Sequence, residues 1–239
     1  MTFRIRSGVA AIGVLLGAIA CHHRASLPAS QSVADSEIKK CGEMKGPWVE
    51  VMHRWEASDK LHWTNDSLRR VLLAMSDTDQ AVRNAWIAHQ SDTTIERGMR
   101  IVDSTNDQQI RRIIGQYGWP TRTMVGSKGE SAAWLIIQHA DDSLQHAGLR
   151  LMQHEGEGEV SPTELAMLDD RVRMHDKLPQ RFGSQLSERP DGSYELYTLD
   201  DPAHVEERRA KAGLEPLPQY LCGIEAIYHH PVVGSVPAS

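Results

Sequence analysis

Apolar residues recur at intervals of three and four along most of the chain from residue 66 onward, the spacing of an amphipathic helix. Asp66 to Met75 and Asp79 to His89 carry Leu68, Val71, Leu72, Val82, Trp86 and Ile87 at that spacing and predict two helices. Ile95 to Val102 and Gln108 to Tyr117 predict two more, the second stopped by Gly118-Trp119-Pro120. Met124 to Gly129 reads as a turn. The longest helix is expected from about Lys128 to Gln153, because Ala133, Ile137, Ala140, Leu144, Ala147 and Leu151 form one continuous apolar seam. Ser161-Pro162-Thr163-Glu164 combines an N-cap, a proline at the first helical position and a glutamate three residues after the cap. A helix therefore opens there and runs to about His175. Pro190-Asp191-Gly192 is a turn, and Ser193 to Leu199 alternates like a strand or hairpin arm. Asp201-Pro202 opens a last helix, charged along Glu206 to Lys211, with Gly213 as its stop.

These elements predict a mainly α protein: a single compact multi-helix domain over residues 41–222, with a short β-hairpin or strand near residues 193–199. Residues 223–239 are expected to be a C-terminal tail. No internal repeat or second domain is visible.

The first 40 residues have a different character. Arg4 and Arg6 precede an uncharged apolar run from Val9 to Ala20. That run is shorter than the ~20 residues a spanning helix needs and reads as a signal peptide over residues 1–20. Ala18-Ile19-Ala20-Cys21 resembles the lipobox of bacterial lipoproteins, which makes Cys21 the expected lipid-bearing first residue of the mature chain. An ordinary signal peptide cut near Ala20, with Cys21 unmodified, is the alternative. Ala25 to Ser36 is rich in Ala, Ser and Pro, so residues 21–40 read as a flexible tether. The expected location is the cell envelope, anchored to a membrane through the lipid and facing the periplasm or exterior.

Charge narrows the partners. The full chain has 26 basic and 32 acidic residues, a net charge of −6. Loss of Arg4 and Arg6 with the signal peptide moves it to −8, which argues against nucleic acid, since phosphate binding needs a basic face. Aromatic residues make up only 5%, so the core must rest on aliphatic side chains and Met. Cys41 and Cys222 stand near the two ends of the body, where an oxidising envelope permits a disulfide, although two buried free thiols fit equally well.

Five stretches occur in order: Asp103-Ser-Thr-Asn106 leading to Tyr117-Gly-Trp-Pro120; Gln138-His-Ala-Asp141; Leu165-Ala-Met-Leu-Asp-Asp-Arg171; Gln180-Arg-Phe-Gly-Ser-Gln185; and Arg208-Arg-Ala-Lys-Ala-Gly-Leu-Glu-Pro-Leu217. Together they resemble an uncharacterised bacterial family, the domain of unknown function 6624, over roughly Leu68 to Leu221. That family usually has Tyr and Thr where this chain has Phe182 and Ser184, so a hydroxyl role remains open at 184 and is lost at 182. The resemblance implies no activity.

The candidate chemistry lies in these stretches. His139 and Asp141 stand about 200° apart on one continuous helix, so they do not form a direct pair. A carboxylate for His139 must come from Asp142 or another segment. His139 suits a general acid or base, and equally a half-buried histidine tied to a carbonyl. His139, Asp142 and His146 share a helix side, but with twelve histidines in the chain the spacing is weak, and no metal or cofactor is assigned. Asp170 and Arg171 offer a carboxylate and a cation, or a simple interhelical pair. Gln180 and Gln185 flank Gly183 in a shaped loop suited to an amide or sugar ligand, or to bonding its own backbone. No Gly-x-Ser-x-Gly elbow and no glycine-rich phosphate cradle is present. The leading expectation is a binding domain with a polar pocket of His139, Asp141, Asp170, Arg171, Gln180 and Gln185, holding a peptide- or glycan-like ligand. The alternative is an envelope hydrolase or lyase using His139 and Asp170 as acid and base.

Overall fold

The fold is described by a computed structural model, over Cys41, residues 62–89 and residues 92–233. The segments expected as signal peptide and tether, with Cys21, lie outside the described residues. Seven α-helices and a small sheet make up the described part, so the protein is mainly α. No helix among the described residues is long and apolar enough to cross a membrane.

Helix α1 spans Asp66–Ala88, and its N-cap Asn65 accepts from the Leu68 amide. Helix α2 spans Thr93–Tyr117 behind the N-cap Asp92, and Gly118 at φ 73° ends it. Each replaces two shorter predicted helices. The polar residues that interrupt the apolar spacing, Asp79 and Asn106, are buried on the packed sides of α1 and α2 rather than marking breaks.

The long predicted helix divides in two. Helix α3 spans Arg122–His139, with Gly126 (φ 72°, ψ 166°) bending it inside the segment expected as a turn. Helix α4 spans Asp142–His154. Ala140 and Asp141 between them are extended. Each free helix end finds a local partner: Asp141 accepts from the Leu144 amide at 2.9 Å, and Gln145 Nε2 donates to the carbonyls of Gln138 (3.2 Å) and Ala140 (2.8 Å). The apolar seam survives because α4 packs back onto α3, with Ile137 directly over Gly148.

Helix α5 spans Pro162–His175 behind the N-cap Ser161, as its capping sequence predicts. Strands β1 (Leu186–Glu188) and β2 (Tyr194–Leu196) form an antiparallel hairpin across the predicted turn. After a 3-10 turn at Pro202–His204 come α6 (Val205–Ala212) and α7 (Leu217–Tyr228). Strand β3 (Val232–Val233) then pairs parallel to β2. Residues 223–233 are therefore part of the fold and not a tail: Ile224, Ile227 and Tyr228 are buried in the core. Cys222 on α7 is disulfide-bonded to Cys41, with Cα atoms 5.7 Å apart.

Candidate functional site

His139 is the last residue of α3, where the helix end brings it against α1. Its Nδ1 lies 2.9 and 3.1 Å from the two carboxylate oxygens of Asp79. Arg83, one turn beyond Asp79, places Nε 3.2 Å from both of those oxygens and forms a salt bridge through Nη2 to Asp103 on α2. Arg83 Nε is also 2.8 Å from His139 Nδ1, but two N–H groups cannot bond each other. Both hydrogens are satisfied when they converge on the Asp79 carboxylate. That assignment leaves His139 Nε2 without a proton and able to accept.

The electrostatics agree with it. Burial pushes the His139 imidazole down to about 4, against the pull of Asp79 and with the help of the Arg83 and Arg171 charges. Burial alone would raise Asp79, but the His139 hydrogen bond and the Arg83 charge outweigh it and hold the carboxyl at about 2. At neutral pH the pair is a carboxylate and a neutral imidazole. Burial raises Asp103 to about 6, only partly opposed by Arg83. One turn after Asp103 on the same helix side, Asn106 is 6% exposed and its Nδ2 has no hydrogen-bond partner. Arg171 of α5 lies behind the cluster, fully buried. With the Gln138 amide oriented to face it, the Gln138 oxygen accepts from Arg171 Nε at 2.9 Å and Nη2 at 3.2 Å.

The remaining candidate residues do not meet His139. Asp170 accepts from the amides of Arg181 (2.6 Å), Phe182 (3.0 Å) and Ser184 (2.9 Å), and from the Ser184 hydroxyl (2.9 Å). It organises the 181–184 loop, and the carboxylate that meets His139 is Asp79 instead. Gln180 Nε2 donates to the carbonyls of Gln185 and Tyr197, and its Oε1 accepts from the Gln185 amide. Gln185 Nε2 donates to the Ser184 hydroxyl. Buried Arg209 donates to the Phe182 carbonyl, and the Tyr220 hydroxyl to that of Ser184. The loop thus bonds its own backbone. Asp141 is half exposed, caps α4 and pairs with Arg111 and Ser143. Asp142 pairs with His175 and His146 with Asp176, fastening α4 to the end of α5. No group of three or more metal-ligating side chains is assembled among the described residues.

Residues 66–233 match the family described as a family of unknown function, DUF6624. The chain belongs to this family. Nothing among curated proteins and nothing among solved structures matches it. The DUF6624 match runs from the first residue of α1 to the last of β3, so it encloses every helix and strand described here. Within the DUF6624 stretches the structure separates two jobs. The residues around 170, 180–185, 209 and 220 close a loop, whereas His139, Gln138, Arg171 and Asp103 converge with Asp79 and Arg83.

Asp79 and Arg83 are missed altogether by sequence reasoning, and Asp103 and Asn106 are quoted there only as part of a family stretch and not as site residues. A signal existed: Leu68, Leu72, Met75 and Asp79 are spaced by four, three and four, which puts a carboxylate on the buried stripe of α1 with an arginine one turn on.

Proposed function

We propose that this protein is a membrane-tethered lipoprotein of the cell envelope, whose helical domain binds a polar, peptide- or glycan-like ligand at the Asp79, Arg83, Asp103, Asn106 and His139 cluster. The observation that carries this reading is an imbalance in hydrogen bonding. Asp79, Arg83 and Asp103 satisfy one another, yet the Asn106 amide donor has no partner and the tautomer fixed by Asp79 leaves His139 Nε2 as an acceptor. Buried polar groups are nearly always paired, so a free donor on α2 and a free acceptor at the end of α3 suit an amide or hydroxyl ligand that offers both. The test is thermal stabilisation of the full chain across a panel of soluble glycan fragments and short peptides. Stabilisation by at least one class, abolished in Asn106→Leu and His139→Phe, is expected. A panel without effect, or an effect that both variants retain, would overturn the reading. For the anchor, Cys21→Ala is expected to release the protein from the membrane fraction, and retention of the variant there would count against lipidation.

A second reading, an acid/base enzyme of the hydrolase or lyase type, is favoured by one observation. A carboxylate on Nδ1 orients a neutral imidazole with Nε2 as a base, an arrangement that general-base catalysis uses. Here Asp79, not Asp170, is the partner. Turnover of any panel member, reduced about 100-fold or more in Asp79→Asn, would select this reading over simple binding.

A further inference from the structure

A surface trough shares no lining residue with the His139 cluster. The trough, of about 630 Å³, runs between α2 and α4, floored by Ile114, Gly115, Leu144 and Leu151 and rimmed by Arg111, Arg150 and His154. Gly115 is the informative residue. Glycine weakens a helix relative to alanine, and at Gly129 and Gly148 close packing accounts for it, since a Cβ would lie within 3 Å of Val125 or Ile137. At Gly115 a Cβ would meet nothing within 4 Å. Packing therefore does not require this glycine, and a long side chain at 115 would project into the trough.

Charge identifies the occupant. No acidic side chain is among the lining residues, although the whole chain carries −6. Arg111 is already paired with Asp141. That leaves the exposed Arg150 and His154, one turn apart on α4. His154 Nδ1 is bonded to the Arg150 carbonyl at 2.6 Å, which turns Nε2 outward. On the α2 side the trough is a single turn deep, Arg111 to Gly115. On the α4 side the lining runs from Leu144 to His154, about 15 Å, so the apolar floor is a long, narrow strip that suits one alkyl chain.

We propose that this trough binds a single-chain fatty carboxylate, with the alkyl chain along the Ile114, Gly115 and Leu151 floor and the head group between Arg150 and His154. The probe is decanoate below its micelle concentration, titrated into the full chain beside decyltrimethylammonium and decyl glucoside of equal chain length. Saturable one-to-one binding of decanoate is expected, at least tenfold tighter than either of the others. Arg150→Glu should weaken decanoate at least tenfold, and Gly115→Leu should abolish its binding without lowering the melting temperature. Equal binding of all three amphiphiles, or decanoate binding that survives Gly115→Leu, would overturn the proposal. So would absence of saturable binding; if the wild type were then a dimer that Gly115→Leu dissociates, the trough would belong to a second copy of the chain.

Discussion

Two sets of buried titratable residues pull stability in opposite directions with pH. Asp79 falls from an ordinary value near 3.8 to about 2 in the fold, so its contribution is present above pH 4 and lost as pH falls towards 2. With the side chain 1% exposed, that contribution is about 2 kcal/mol. His139 falls from 6.5 to about 4, so the fold disfavours its charged form and stability drops as pH falls through that interval. Glu130 and Glu164 act the other way. They lie fully buried on α3 and α5 and bond to each other, with Trp119 Nε1 donating to Glu130 at 3.1 Å. Burial raises Glu164 from 4.5 to about 7 and Glu130 well above its ordinary value, so the pair holds a proton that the unfolded chain releases. Stability should then decline as pH rises from 4.5 through 7. The melting temperature is expected to peak on the mildly acidic side of neutrality. Glu130→Gln combined with Glu164→Gln should flatten the alkaline limb and leave the acidic limb in place, as thermal scans from pH 4 to 9 would reveal. Asp79→Ala, which strands Arg83 with Asp103 alone, is expected to lower stability by about 3 kcal/mol in urea unfolding at pH 7.

Among the elements, the break between α3 and α4 and the loop after α5 matter most. The two helices fold back on each other only because Gly148 lets Ile137 approach, with Cγ2 2.6 Å from where a Cβ would stand. Gly148→Ala should therefore destabilise the protein by about 1–3 kcal/mol despite its gain in helix propensity, and urea midpoints would report it. The 181–184 loop depends on Asp170, which accepts three backbone amides and a hydroxyl at 0% exposure. Burial raises this carboxyl, and those four bonds oppose the shift. Asp170→Ala should cost about 3 kcal/mol of stability while leaving ligand stabilisation at the His139 cluster intact in whatever fraction remains folded. Loss of that stabilisation with unchanged melting would instead return Asp170 to the site.

At the scale of the whole molecule, the Cys41 to Cys222 disulfide ties the chain before α1 to α7 across 181 residues. Closure of a loop this long constrains the unfolded chain by about 5 kcal/mol in the chain-entropy treatment. Reduction, or Cys222→Ser, is expected to lower the melting temperature, and equal melting with and without reductant would show that the bridge contributes little. α7 also carries core residues, so the C-terminal segment is held twice, covalently and by packing.

Sequence alone was sufficient where the determining interaction is local. The α5 capping box, the stops at Gly118 and Gly213, the β1–β2 turn and the mainly α class all depend on residues within one or two turns of each other. The joined helices α1 and α2 and the break at Ala140 depart from the periodicity because a polar residue on an apolar stripe signals either an end or a buried partner. Asp141 became an end and Asp79 a partner. Only tertiary packing decided between them: Asp79 meets His139 from 60 residues away, and Asp170 takes the amides of a loop that periodicity does not describe. The five family stretches were legible as a set, but their division into a loop-closing group and a His139-centred group was not. That division depends on which side chains converge from α1, α2, α3 and α5, and convergence is a property of the folded chain.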